Sequence, residues 1–152
     1  MKTGYILLLL ILMSPAQAQH SLSIPIVLER AVKDNAPEWT LIFVHVRKTE
    51  EENNTSFRWR REGQEIAIFA SEHRSTEEAR ITPESLITAA PRKQAKVENV
   101  GDEAYLISQS PYGAPRFDVI FRKGKVRVSV EAASADVAQR LAKYLADALP
   151  DA

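Results

Sequence analysis

The chain has no cysteine, which excludes disulfide staples, thiolate metal centres, a cysteine nucleophile and a lipid-anchored amino-terminal cysteine. A small domain without cross-links must be held by its apolar core, and 45% hydrophobic residues supply one. Glycine is scarce: the five glycines stand at 4, 63, 101, 113 and 124 and never cluster. A loop that cradles phosphate through successive backbone N–H groups is therefore absent. The three histidines, His20, His45 and His73, show no His-x-x-x-His or His-Glu-x-x-His spacing, so no metal site is expected. Serine-nucleophile motifs of the Gly-x-Ser-x-Gly and Ser-x-x-Lys types are missing. Charge of one sign is missing too, since 20 basic residues balance 20 acidic ones. That balance gives no reason to expect nucleic acid as a partner. No cofactor is expected.

What is present begins at the amino terminus. Lys2 gives a positive start, residues 5–13 form a continuous apolar run, Ser14-Pro15 breaks it, and Ala16-Gln17-Ala18 is a small-x-small cleavage signal. These are the parts of a secretory signal peptide in order, and the run is shorter than the roughly 20 residues that span a bilayer. Residues 1–18 are read as that signal and residues 19–152 as a single globular domain. The expected location is periplasmic or secreted, with no stable membrane insertion after cleavage. His20 becomes the second residue of the processed chain, where imidazole and free amine would bind copper weakly; a solvated terminus is the plainer reading.

Residues 25–34 place Val27, Leu28, Ala31 and Val32 on one helical face and end at Asn35-Ala36-Pro37. Ile24 to Leu28 reads alternatively as a short strand. Residues 39–47 are apolar on both faces, the pattern of a central strand. Phe57 and Trp59 alternate with Arg58 and Arg60, and a turn at residues 62–64 leads into a third strand at residues 65–70. Ser75-Thr76-Glu77-Glu78 fits a capping box, and Thr82-Pro83 a second helix start. Residues 91–99 read as a polar connection. Phe117, Val119 and Phe121 face Val126, Val128 and Val130 across Lys123-Gly124, a hairpin signal. Ser134 then caps a helix over residues 135–149 with Val137, Leu141, Leu145 and Leu149 on one stripe. The fold expected is α+β: after a possible short amino-terminal helix, the order βββ-α-βββ-α. Its strands form a single mostly antiparallel sheet of about six strands with helices packed on it.

Val100-Gly101-Asp102-Glu103-Ala104-Tyr105, Phe121-Arg122-Lys123-Gly124-Lys125-Val126 and the amphipathic last helix together resemble a recurring module of exported bacterial proteins. More loosely, the chain is similar to αβα sandwiches of the photosystem extrinsic-protein type. The resemblance covers about the last third of the chain, implies a binding or assembly role, and carries no catalytic residue. Each motif also has a plain physical use: Gly101 supplies a positive φ, Tyr105 a ring for packing, and Lys123-Gly124 a turn.

The remaining candidate chemistry is cationic. Arg58 and Arg60, with Arg61, lie on one strand; Arg122, Lys125 and Arg127, with Lys123, lie around the hairpin. Were those strands neighbours, a basic patch with Trp59 or Tyr112 at its rim would suit an envelope protein or an anionic envelope component. The competing reading is ordinary cross-strand pairing with Glu65, Asp118 and Glu131. The sequence thus points to an exported non-catalytic binding or accessory domain. The alternative is a small envelope enzyme, hydrolase-like, with a site assembled from distant residues and His45 or His73 as its base. On that alternative His45 is a partly buried residue near a strand end and His73 a solvent-facing one.

Overall fold

The computed structural model describes residues 23–82, 93–109 and 114–151. In chain order they form α1 (Ile24–Asn35), β1 (Thr40–Lys48), β2 (Glu52–Arg61), β3 (Gln64–His73), β4 (Lys93–Lys96), β5 (Glu103–Gln109), β6 (Arg116–Lys123), β7 (Val126–Ala132) and α2 (Ala135–Ala148). Residues 1–18, read from the sequence as a signal, His20, the helix start expected at Pro83 and Tyr112 lie outside the described residues.

All seven strands join one antiparallel sheet in the order β1-β2-β3-β7-β6-β5-β4. Two tight turns set the hairpins. Glu62 and Gly63 both have positive φ (46° and 79°), the geometry whose twist matches paired strands, and Gly124 opens the β6–β7 turn at φ 55°. The hairpin register places Phe121 opposite Val128 and Val119 opposite Val130, as the alternation implied.

Both helices lie on one face of this sheet. Leu28, Ala31 and Val32 of α1 join Ala138, Leu141, Ala142, Leu145 and Ala146 of α2, over Phe57, Trp59, Ile66, Ile68, Val119, Phe121, Val128 and Val130. The expected stripe of leucines holds, with Val137 partly buried. The alanines at 138, 142 and 146 let the α2 backbone approach the sheet closely. Ser134 holds the N-cap position through its carbonyl, which accepts the Ala138 N–H at 3.1 Å; its hydroxyl makes no cap bond.

Three expectations change. The sheet has seven strands rather than about six, because Lys93–Lys96, read as a connection, pairs with β5. Its four residues are all exposed, so no hydrophobic period announces it; backbone pairing alone makes the strand. The apolar run expected at the centre of the sheet is β1, an edge strand exposed along nearly all its length. Apolar side chains on both faces fit a covered central strand, but only the neighbours of a strand decide whether it is covered. Finally, Ser75 and Glu78 occupy a turn. The Ser75 hydroxyl accepts the Glu78 N–H at 3.2 Å, while the Glu78 carboxylate accepts the Arg74 N–H instead of that of Ser75.

Candidate functional site on the outer face of the sheet

The face away from the helices divides in two. Over β5 and β6 it is covered: Ile81 and Ile107 are buried there with Tyr105 and Ile120 against them, which accounts for the isoleucine on the polar side of β6. Over β1, β2, β3 and β7 no described element covers it. The ladders place Arg58, Ala67 and Glu131 in one row, Ser56, Phe69 and Ser129 in the next, and Asn54, Ser71 and Arg127 in a third. Phe69 stands at the centre of this open half and is 42% exposed.

Of the cationic residues named from the sequence, Arg58, Arg60, Arg122 and Arg127 share this face, but register splits them; Arg61, over the Trp39 ring, and Lys123 alternate with core residues and lie on the helix side. Arg58 lies beside Ala67 and Arg127 beside Ser71, four positions apart, or roughly 13 Å along the strands. Arg60 joins Arg58 at one end and is held by Glu65 at 2.5 Å; that guanidinium keeps the Glu65 carboxyl below its usual range. Arg116 pairs with Glu131 at 3.4 Å. At the other end Arg122 is occupied by Asp102, and Lys123 by Asp151 of the carboxy terminus, whose hydrogen bond raises the lysine pKa. Lys125 sits in the hairpin turn. Arg58 and Arg127 have no hydrogen-bond or ion-pair partner among the described residues. Trp59 is not at the rim: it is a core residue.

Arg122 belongs to a structural cluster that also explains the Gly-Asp-Glu-Ala-Tyr and Arg-Lys-Gly motifs. Gly101 (φ 59°) passes so near the Arg122 carbonyl that a Cβ would collide with it. The Asp102 N–H donates to that carbonyl at 2.8 Å, and the Asp102 carboxylate accepts from the Gly124 N–H and from Arg122, both at 2.8 Å. Arg122 also donates to the Gly124 carbonyl at 3.1 Å. The Glu103 carboxylate, 3.6 Å from Arg122, accepts from the Ile81 N–H and the Tyr105 hydroxyl, both at 3.4 Å. The two motifs are one clamp that locks the start of β5 onto the β6–β7 turn.

The histidines stand apart from each other and differ from expectation. His45 is exposed on the edge strand and stacks on Phe43, ring centroids 6.4 Å apart. His73 is the one enclosed, its side chain only 9% exposed and its Nδ1 3.9 Å from Glu52. Burial, and then the charge of Arg127, lower its pKa. Among the described residues no group of three or more His, Cys, Asp or Glu side chains converges to hold a metal. A concavity of about 480 Å³ on the helix side is an open apolar groove; Ile24, Pro25 and Pro150 line it with Val46, Thr55 and Ala70.

What sequence reasoning missed is Phe69. The alternation of β3 marks its orientation, but its exposure depends on what covers the sheet. Chemically, this half-face offers the Phe69 ring between two free guanidiniums, with Ser56, Ser71 and Ser129 around it and Phe43 of β1 exposed beside Arg58. It presents contacts to bind an anionic or amphipathic surface, while the Ser71 hydroxyl donates to Asn54 and the Ser129 hydroxyl to Asp118, both at 2.6 Å.

Among the described residues the architecture is α+β, a single antiparallel sheet with two helices on one face. It is similar to the crystal structure of a GTP binding regulator from Thermotoga maritima: TM-score 0.54, 10% identity, over 84% of this chain and 87% of that one. At that identity the likeness is one of fold. No family model and no curated protein sequence matches the chain. Among the described residues no helix is long and apolar enough to cross a membrane.

Proposed function

We propose that this chain is an exported, non-catalytic binding domain of the cell envelope, and that the open half of its outer sheet face holds an acidic envelope protein. The carrying observation is Phe69 exposed between the unpaired Arg58 and Arg127. Two arginines displaced by roughly 13 Å along the strands and by two strand spacings across them stand about 16 Å apart. That separation suits a polypeptide with carboxylates about five residues apart along an extended strand and an apolar side chain between them. Export is supported by Lys2, the apolar run at 5–13 and Ala16-Gln17-Ala18. The binding reading is favoured over a hydrolase because His45 stands at the sheet edge, stacked on Phe43, while His73 is enclosed beside Glu52, and neither is hydrogen-bonded to a serine hydroxyl among the described residues. The GTP binding of the structural neighbour does not transfer through fold alone, and this chain has no clustered glycines to cradle phosphate.

The test has two arms. Cell fractionation and intact-mass measurement should find the mature chain starting at Gln19 outside the cytoplasm; an uncleaved chain in the cytoplasm would overturn export. A fluorescent extended peptide with glutamates flanking phenylalanine should bind purified protein, and Arg58→Glu with Arg127→Glu should weaken it at least tenfold. Vesicles containing phosphatidylglycerol and GTP serve as comparison ligands. Preference for either over the peptide, or indifference to the double variant, would refute the site.

A further inference from the structure

We propose that β1 is the interface for a second copy of this chain, the two β1 strands pairing antiparallel about a two-fold axis through His45 so that two seven-stranded sheets become one. The two edges of the sheet are built differently. β4 has only four residues, all exposed, with a lysine at each end, the usual protection of an edge against strand addition. β1 runs for nine residues, and Ile42, Phe43, Val44 and Val46 are each 43–49% exposed, on both faces. Its outer backbone edge has no partner among the described residues. An edge this long and apolar is a template for another strand.

The side-chain pattern selects a second copy, and one register. A bulge lies between Leu41 and Phe43, so regular pairing is available only from Phe43 onward. With the axis at His45, Val44 meets Val46 of the second copy and Phe43 meets its Arg47, an aromatic face against a guanidinium. Like charges are nowhere opposed among these pairs. Moving the axis to Val44 brings the bulged Ile42 into the ladder and sets Leu41 against Arg47. Moving it to Val46 sets Val44 against Lys48 and His45 against Arg47. The equal numbers of acidic and basic residues leave no net repulsion between copies. A two-fold perpendicular to the sheet puts both outer faces on one side, so the dimer would present two Phe69 sites on one continuous surface.

The absence of cysteine makes the test clean. His45→Cys places a thiol on the axis, where facing strands stand about 4.5–5.5 Å apart at Cα, within disulfide reach. Mild oxidation should convert it to a covalent dimer, while Arg140→Cys, exposed on α2, should stay monomeric. Light scattering of the unmodified protein should show twice the chain mass at high concentration, falling on dilution. Val44→Lys should abolish the dimer without shifting the melting curve, because Val44 is half exposed already. A monomer mass at every concentration, with His45→Cys oxidising no faster than Arg140→Cys, would overturn the proposal. So would a dimer that survives Val44→Lys, and so would a monomer whose β1 captures a strand of another protein.

Discussion

Replacing Asp102 by alanine removes one carboxylate and two acceptor contacts, those to the Gly124 N–H and the Arg122 guanidinium at 2.8 Å. A hydrogen bond to a charged group contributes about 1.5–3 kcal/mol when well shielded. Arg122 is well shielded, its side chain 14% exposed, but Asp102 is 41% exposed, so water replaces part of what is lost. Discounting by about half for that solvation gives roughly 2 kcal/mol for the alanine variant, and about 1 kcal/mol for Asp102→Asn, which keeps an acceptor for the turn. For a domain of this size roughly 2 kcal/mol lowers the melting temperature by about 6–10 °C. Thermal and urea unfolding followed by circular dichroism measure it. A double-mutant cycle with Arg122→Ala should return a coupling of about 1 kcal/mol, because the two residues share one contact. An Asp102→Ala protein within about 0.5 kcal/mol of the parent would refute the clamp. The Gly-Asp and Arg-Lys-Gly motifs would then need another explanation, and loss of binding at unchanged stability would make Asp102 a ligand contact.

Two other outcomes follow from the packing. Val128→Asp buries a carboxylate opposite Phe121 and Ala70, where Val128 is 0% exposed, and should cost on the order of 4 kcal/mol; Arg127→Asp on the opposite face should stay within about 0.5 kcal/mol. Paired melting curves decide it, and the reverse order would invert the assigned register. His73, whose pKa burial lowers in the folded state, binds its proton more readily when unfolded. Its contribution is therefore fully present above the unfolded value of about 6.5 and is lost as pH falls from there through the lower folded pKa. Urea unfolding between pH 7 and 5 should show a drop in the parent that His73→Gln lacks; equal slopes would exclude His73 as its source.

The legible parts of this protein are those with a local period. The alternation of Phe57 and Trp59, the facing valines and phenylalanines of β6 and β7, and the leucine stripe of α2 each state which side chains turn inward. A strand offers only two faces and a helix one stripe. β4 was hidden for the same reason: Lys93-Gln94-Ala95-Lys96 carries no apolar alternation, since nothing covers it. β1 misled because a run apolar on both faces is common to a strand at the centre of a sheet and a strand left open at an interface.

By itself the sequence determined an antiparallel α+β domain without cross-links, the inward and outward faces of its hairpins, the positive φ at Gly101 and the tight turn at Gly124. Those follow from chain-local sterics and hydrophobic period. Only the tertiary structure decided that β3 pairs with β7, which joins the two halves of the sheet and sets Arg58 and Arg127 at opposite ends of Phe69. It also joined Asp102 to Arg122 and Gly124, 20 and 22 positions away, and left β1 at an edge. Strand order and register arise from long-range backbone pairing and from burial shared among distant segments. No window of neighbouring residues carries that information.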